Sequence, residues 1–364
     1  MMELAARVEK NQLSEKDYRG LKDILSYSAI KSFDTDREKF YREFVLGNAR
    51  KESESTATLL GSLVHCFLAE QKFEDKFCML SAVEPSGQMK ELADALFART
   101  LIGLVDGVQK ESFLTLFGDA VQKVKYDEAG KEVKFKGKDV EKILVMFEGS
   151  DAEIYYKELL LTIGKSAVSV SLITKAEQIV SKLRGHSYTY EYANARSEKG
   201  IDVFNELSIQ FKIQQVPYKS MIDKTIVNHE QKTIQPIDWK TSWDSEEPQK
   251  AYLKFGYYIQ AGLYDCALGH WALEHGLDDY KILPMIYIFC DTTGFADPTV
   301  LKLTKADLDA AWNGFSIRGY KYRGLNELIR DIAWHVETGV WSTSYEMSLN
   351  KGVVNLNIDY DITK

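Results

Sequence analysis

The sequence predicts a mixed α/β fold (α+β): a mixed β-sheet core flanked by helices, with a helical insertion. Three observations predict it. Residues 202–213, 218–227 and 232–240 are successive runs of strand character, the first alternating with one mostly polar face, and short connections of the kind that join antiparallel strands. Residues 282–290 form a continuous apolar run suited to a strand buried on both faces. Around them lie segments whose apolar residues recur at the helical period.

The chain has 364 residues, a length that favours about two domains, or one core with a large insertion. Hydrophobic residues make up 45% and charged ones 27%, which excludes general disorder. A net charge of −8 argues against a uniformly basic coat and leaves room for a local positive groove. Cys66, Cys78, Cys266 and Cys290 are too scattered for a metal knuckle or an iron–sulfur spacing and read as reduced core thiols. No apolar run reaches the roughly 20 residues of a membrane helix, and Met1-Met2-Glu3 lacks signal-peptide order. A soluble cytoplasmic protein with no membrane partner is the expectation.

In chain order, residues 1–20 read as polar and loosely held. Ser26 caps a short helix over 26–33, and 36–46 continues with Phe40, Tyr41, Phe44 and Val45 at helical spacing. A charged loop over 50–55 precedes an apolar helix over 56–69 that carries Gly61 and His65. Segments 88–102 and 138–147 are helical, with a charged, hairpin-like excursion between them, and 166–184 is an amphipathic helix ending at Gly185. After the strand runs come a loop over 243–248, a helix over 249–268, a continuous strand over 281–291 and an edge strand over 299–303. One or two helices over 305–338 follow. The domain expectation is an N-terminal helical part over 1–84, a helical insertion over 85–165 and a core over 166–364.

The chemistry centres on the hairpin 218–240. Side chains at i and i+2 of a strand share a face, so Asp238 and Lys240 project together, and a suitable register brings Asp223 beside them. Phosphodiester hydrolysis needs a nucleophilic water, stabilised phosphoryl oxygens and help for the leaving oxygen, all of which a divalent cation serves. Hard carboxylates such as Asp223 and Asp238 suit Mg²⁺ or Mn²⁺, and the Trp239 carbonyl between the two site residues is a natural extra ligand. Lys240 adds positive charge near the attacking water. Glu206 lies on the polar face of the preceding strand, and Gln260 and Tyr264 share one helix face at i and i+4. His65 alone reads as a core histidine or as an imidazole aimed at a metal. Arg318-Gly319-Tyr320-Lys321-Tyr322-Arg323 interleaves cations with aromatics and reads as a solvated helix junction or a phosphate contact.

The ordered set Gly61-x-x-x-His65, Glu206, Met221-Ile222-Asp223, Ile237-Asp238-Trp239-Lys240-Thr241 and Gln260-x-x-x-Tyr264 resembles the PD-(D/E)XK nuclease superfamily. More narrowly, it is similar to RecB-like nuclease domains and the phage RecE (exonuclease VIII) group. Ser26-Tyr27-Ser28 and Thr338-Gly339-Val340-Trp341 match as well, and 85–165 lies outside the resemblance. The likeness implies a restriction-endonuclease-like core and a Mg²⁺-dependent (Mn²⁺-tolerant) DNA exonuclease acting on duplex ends, 5′ to 3′, in phage recombination or repair. It implies metal ligation by His65, Asp223, Asp238 and the Trp239 carbonyl, catalysis by Lys240 with Asp238, Asp223 and Glu206, and substrate contact by Gln260 and Tyr264. It suggests DNA, a single-strand annealing protein and further copies of the chain as partners. Lys219-Ser220-Met221-Ile222-Asp223 departs from the family's Gly-Arg-x-Asp turn. The rival readings are an endonuclease, a single-strand-specific nuclease, or a non-catalytic DNA-binding module.

Overall fold

A computed structural model describes residues 12–48, 55–82, 84–105, 108–242 and 245–353. The expected loops over 50–55 and 243–248 fall partly outside the described residues, as does most of the polar start. The chain divides into two compact units, Met1–Glu54 with Ile179–Lys364, and Ser55–Gln178.

The first unit holds the predicted mixed sheet. Strands β1 (Ile201–Ile213), β2 (Val216–Asn228), β3 (Thr233–Ser242), β4 (Ile286–Asp291) and β5 (Thr299–Lys302) lie in the spatial order β5-β4-β3-β2-β1. β1–β2, β2–β3 and β4–β5 are antiparallel, whereas β3 and β4 are parallel. Parallel neighbours need a crossover, supplied by α3 (Pro248–Lys254) and α4 (Tyr257–Glu274). Further helices are α1 (Glu15–Gly20), α2 (Tyr27–Thr35), α5 (Lys305–Asn313) and α6 (Leu325–Thr338). The core joins Ile30 and Phe33 of α2, Ile222 of β2, Leu263 and Ala267 of α4, Tyr287 and Phe289 of β4, and Leu328 and Ile332 of α6.

Local departures from expectation have identifiable causes. The helix expected over 249–268 is two helices, because Gly256 sits at φ +70°, a backbone state that ends α3 and restarts the chain as α4. The continuous strand expected over 281–291 is interrupted at Pro284: Lys281–Ile282 and Ile286–Asp291 pair β3 separately, since proline cannot donate to a ladder. Between α5 and α6 the chain forms a small hairpin, Phe315–Ile317 against Tyr320–Tyr322. The cation–aromatic motif is therefore a hairpin and not a helix junction, turning at Arg318 and Gly319, both at positive φ. Gln214 and Gln215 likewise turn β1 into β2 at φ 48° and 67°.

The second unit is mainly helical. Helices Thr56–Leu68, Phe113–Lys125, Val140–Phe147 and Asp151–Leu161 are capped by Ser55, Ser112, Asp139 and Ser150, whose side chains accept backbone N–H groups of the first turn. Leu92 and Leu96 of helix Gly87–Ile102 pack with Phe117, Val121, Ile143, Phe147 and Tyr156. Two short strands of the unit form a parallel pair, Phe77–Leu80 with Ser166–Ser169. The helix expected over 166–184 consequently starts only at Val170. This unit spans Ser55–Gln178 and takes in the helix that carries His65.

Candidate active site

The β2–β3 ladder runs from Asn228–Thr233 to Lys224–Ile237 and stops there. β2 continues beside β1 to Val216, and β3 continues beside β4 to Ser242. The sheet thus forks, and the next residue on each arm of the fork is an aspartate: Asp223 on β2, Asp238 on β3.

A fork releases backbone groups that a ladder would have paired, and each needs a partner. The Asp223 carboxylate takes over one of them, accepting the Trp239 N–H at 2.8 Å. On the open edge of β2, Leu25 bonds Pro217 and Lys219 through their backbones, so Met221, two residues on, presents its carbonyl to the same edge. Tyr264 of α4 donates its hydroxyl to that carbonyl at 2.7 Å. Gln260, one helical turn earlier, donates Nε2 to Asp238 Oδ1 at 2.9 Å and to the Tyr264 hydroxyl at 3.1 Å. Both residues are buried, at 5% and 7% exposure. Their geometry is that of positioning groups that hold the fork and orient Asp238.

Lys240 ion-pairs with Asp238 Oδ2, so both oxygens of this 1%-exposed carboxylate are engaged. The ammonium lies 4.5 Å from the Tyr257 ring centroid and 5.7 Å from that of Tyr287. Those rings stack on each other at 5.5 Å. Burial pulls the Lys240 pKa down, but Asp238, Tyr257 and Asp223 outweigh it and leave it raised. Burial, and secondarily the Lys240 charge, lower the pKa of Lys31 on α2. Burial raises Tyr27, Tyr257, Tyr264 and Tyr287, and the Asp238 charge adds to each. The carboxylate centre is accordingly ringed by neutral hydroxyls with one firmly cationic lysine at its heart. Tyr257 and Tyr287 escaped the sequence reading. Tyr257 stands three residues before Gln260 on the same helix, a legible signal. Tyr287 lay in an apolar run, and only the β3–β4 register, which pairs it with Asp238, reveals its place.

The remaining predicted residues fall as follows. The β1–β2 pairs Asn205–Lys224 and Leu207–Ile222 put Glu206 level with Asp223, so residues 206, 223 and 238 lie at one level on three neighbouring strands. Glu206, however, has φ 50°, a left-handed state that interrupts the ladder and turns its side chain out of the strand's alternation. Gln12 donates to its carbonyl at 2.6 Å. His65 is half-buried on helix Thr56–Leu68 in the second unit. Among the described residues, no three His, Cys, Asp or Glu side chains gather into a metal-holding group. Asp223 and Asp238 fit a hard cation by themselves in one respect: Mg²⁺ is commonly held by one or two carboxylates and keeps its other positions for water and phosphate. In the Arg318–Arg323 hairpin, Arg323 is committed to Glu327 and Asp331, and Lys321 lies 3.4 Å from Glu327. These cations serve an ion-pair network.

No family model matches the sequence, and no curated protein matches it. Among solved structures, the chain is similar to a crystal structure from Eubacterium rectale titled "putative exonuclease". The two share 13% identity over 95% of this chain and 96% of that one, with a TM-score of 0.46. A likeness of that degree supports no inference about chemistry, which rests on the forked site. No helix among the described residues is long and apolar enough to cross a membrane.

Proposed function

We propose that the protein is a metal-dependent deoxyribonuclease. The observation that carries this reading is the fork itself, which sets two aspartates and a lysine, drawn from neighbouring strands, around one opening. Asp223 and Asp238 would hold Mg²⁺ or Mn²⁺, with the Trp239 carbonyl as a further candidate ligand. When bound, the ion supplies Lewis-acid polarisation of the phosphoryl oxygen and lowers the pKa of its water.

The chain's own residues have separable tasks. Lys240, kept cationic by Asp238 and the two tyrosine rings, stabilises the charge that develops on the phosphoryl oxygens. Its ammonium now occupies Asp238 Oδ2, so it can yield that oxygen to a cation and turn to the substrate without leaving the opening. Gln260 keeps Asp238 from rotating. Tyr264 keeps the fork open by satisfying Met221.

The motif resemblance favours an exonuclease that acts on duplex ends, over an endonuclease on the same core. Purified protein with Mg²⁺ is expected to degrade linear duplex and to leave closed circular DNA intact. Lys240→Met and Asp223→Asn are each expected to abolish hydrolysis. Cleavage of the circle converts the reading to an endonuclease, and undiminished hydrolysis by both variants sinks the site. Binding without hydrolysis at any divalent metal points to the non-catalytic module.

A further inference from the structure

The chemistry above does not use the buried lysines of β2, Lys219 and Lys224, and Lys219 lines a cavity. Lys219 on β2 is only 6% exposed, and its ammonium donates to the carbonyls of Tyr18 at 2.7 Å and Leu21 at 2.6 Å. It also lies 4.7 Å from the Tyr18 ring centroid. Those carbonyls satisfy two of its three donors, and among the described residues no carboxylate pairs with it. Burial lowers its pKa. A buried ammonium without a counter-ion is costly, and the surroundings of Lys219 show what would relieve it.

Lys219 lines a cavity of about 730 Å³ with Tyr18, Lys22, Tyr27, Met221 and Tyr264. The cavity occupies the open edge of β2 beyond the fork, where Leu25 has replaced β3 as the strand's neighbour. Three acidic groups border it too: Glu15 is committed to Arg19 at 2.6 Å, Glu43 faces Lys39 at 4.0 Å, and Asp23 lies exposed beside Lys22. Lys219, Met221 and Asp223 alternate on one face of β2, so Lys219 stands about 13 Å along the strand from Asp223. Successive phosphates of a stacked strand advance about 3.4 Å along its axis, and those of an extended strand advance farther. The cavity is therefore a few nucleotides from the carboxylates. Its volume is that of a small-ligand pocket, with no room for a duplex.

We propose that this cavity is a subsite for an unpaired nucleic-acid strand, in which a backbone phosphate neutralises Lys219 and bases stack on the bordering tyrosines. The proposal rests on the nuclease reading and specifies its substrate: the strand is separated from its complement before it reaches the fork. Tyr264 joins the two places, since it borders the cavity and bonds both Gln260 and the Met221 carbonyl.

The test is fluorescence anisotropy of the full chain with a labelled single-stranded oligonucleotide, without divalent metal, across a range of salt concentrations. Each phosphate contact on a single strand contributes about 0.7 to the slope of log K against log salt. Lys219→Met is expected to reduce that slope by about 0.7, and Lys219→Arg to retain it. An unchanged slope in Lys219→Met overturns the subsite and leaves Lys219 as a cap for α1, which a lowered melting temperature alone would show. Failure of the wild type to bind the strand also overturns it. If Lys219→Met does not fold, Lys22→Glu at the exposed rim is expected to lose at least the same slope, and no change there is equally fatal. Because no catalysis is needed, the two readings fail separately. A protein that binds with these slopes but hydrolyses nothing loses only the nuclease reading, and one that degrades duplex with indifferent slopes loses only the subsite.

Discussion

Replacing Gln260 with leucine separates a positioning role from a purely structural one. The substitution removes the Nε2 bond to Asp238 Oδ1 and the bond to the Tyr264 hydroxyl. A hydrogen bond to a charged group is worth about 1.5–3 kcal/mol. Gln260 Oε1, however, is buried without a partner, and removing such an orphan acceptor returns about 1–3 kcal/mol. The two offset each other in part, so the stability of Gln260→Leu should lie within about 2 kcal/mol of wild type. Activity has no such compensation. If the bond to Asp238 is what holds the carboxylate in its working orientation, losing about 1.5–3 kcal/mol from the transition state lowers kcat about 10- to 150-fold. The assay pairs urea denaturation with initial rates of Mg²⁺-dependent hydrolysis. A variant that loses several kcal/mol of stability yet keeps wild-type kcat refutes the reasoning, because it makes Gln260 a core group with no hold on the site.

Further outcomes follow from other parts of the molecule. Lys240→Met leaves the Asp238 carboxylate buried without its cation, so the variant should lose about 3–5 kcal/mol of stability without metal. Part of that loss should return on titration with Mg²⁺, and a melting temperature blind to Mg²⁺ in both proteins argues against ion binding at the fork. His335 of α6 is 1% exposed, and burial lowers its pKa despite a bond to the Val340 carbonyl. The unfolded chain then takes up this proton at a higher pH than the folded one. The stability concerned is present above about pH 6.5, the ordinary histidine value, and is lost as pH falls towards the folded pKa. Melting temperatures between pH 8 and pH 5 should fall more steeply in the wild type than in His335→Gln, and parallel curves contradict this. Gly269 lies exposed within α4 with open space around it, so Gly269→Ala should stabilise by about 0.8–1 kcal/mol. A Cβ on Gly324 would collide with the backbone of residues 312–314, so Gly324→Ala should destabilise markedly. Equal melting temperatures for the two variants would contradict the packing of the α5–α6 hairpin.

The sequence by itself determined most of the strands and helices and the face shared by Asp238 and Lys240. Asp238 and Lys240 were legible because side-chain alternation is local: two residues apart on a strand means one face, wherever the strand lies, whereas Asp223 needed the register of the partner strand. Gly185 ended its helix as expected, whereas Ser26 stands at the N-cap of α2 without a side-chain cap bond. The break at Gly256 and the pairing of 166–169 with 77–80 were not legible. Backbone state and strand partnership are settled by distant contacts that no window of residues contains. Only the tertiary structure decided that the hairpin forks at its two aspartates, since a ladder's end depends on what β1 and β4 do with the strands beyond it. That fork turns Gln260 and Tyr264 from a helical pair into the groups that satisfy the opened backbone, and brings Tyr257 and Tyr287 onto Lys240. It also exposes the edge of β2 on which Lys219 stands. Which residues carry charge was written in the sequence; which of them lack a counter-charge is a property of burial, and burial belongs to the fold.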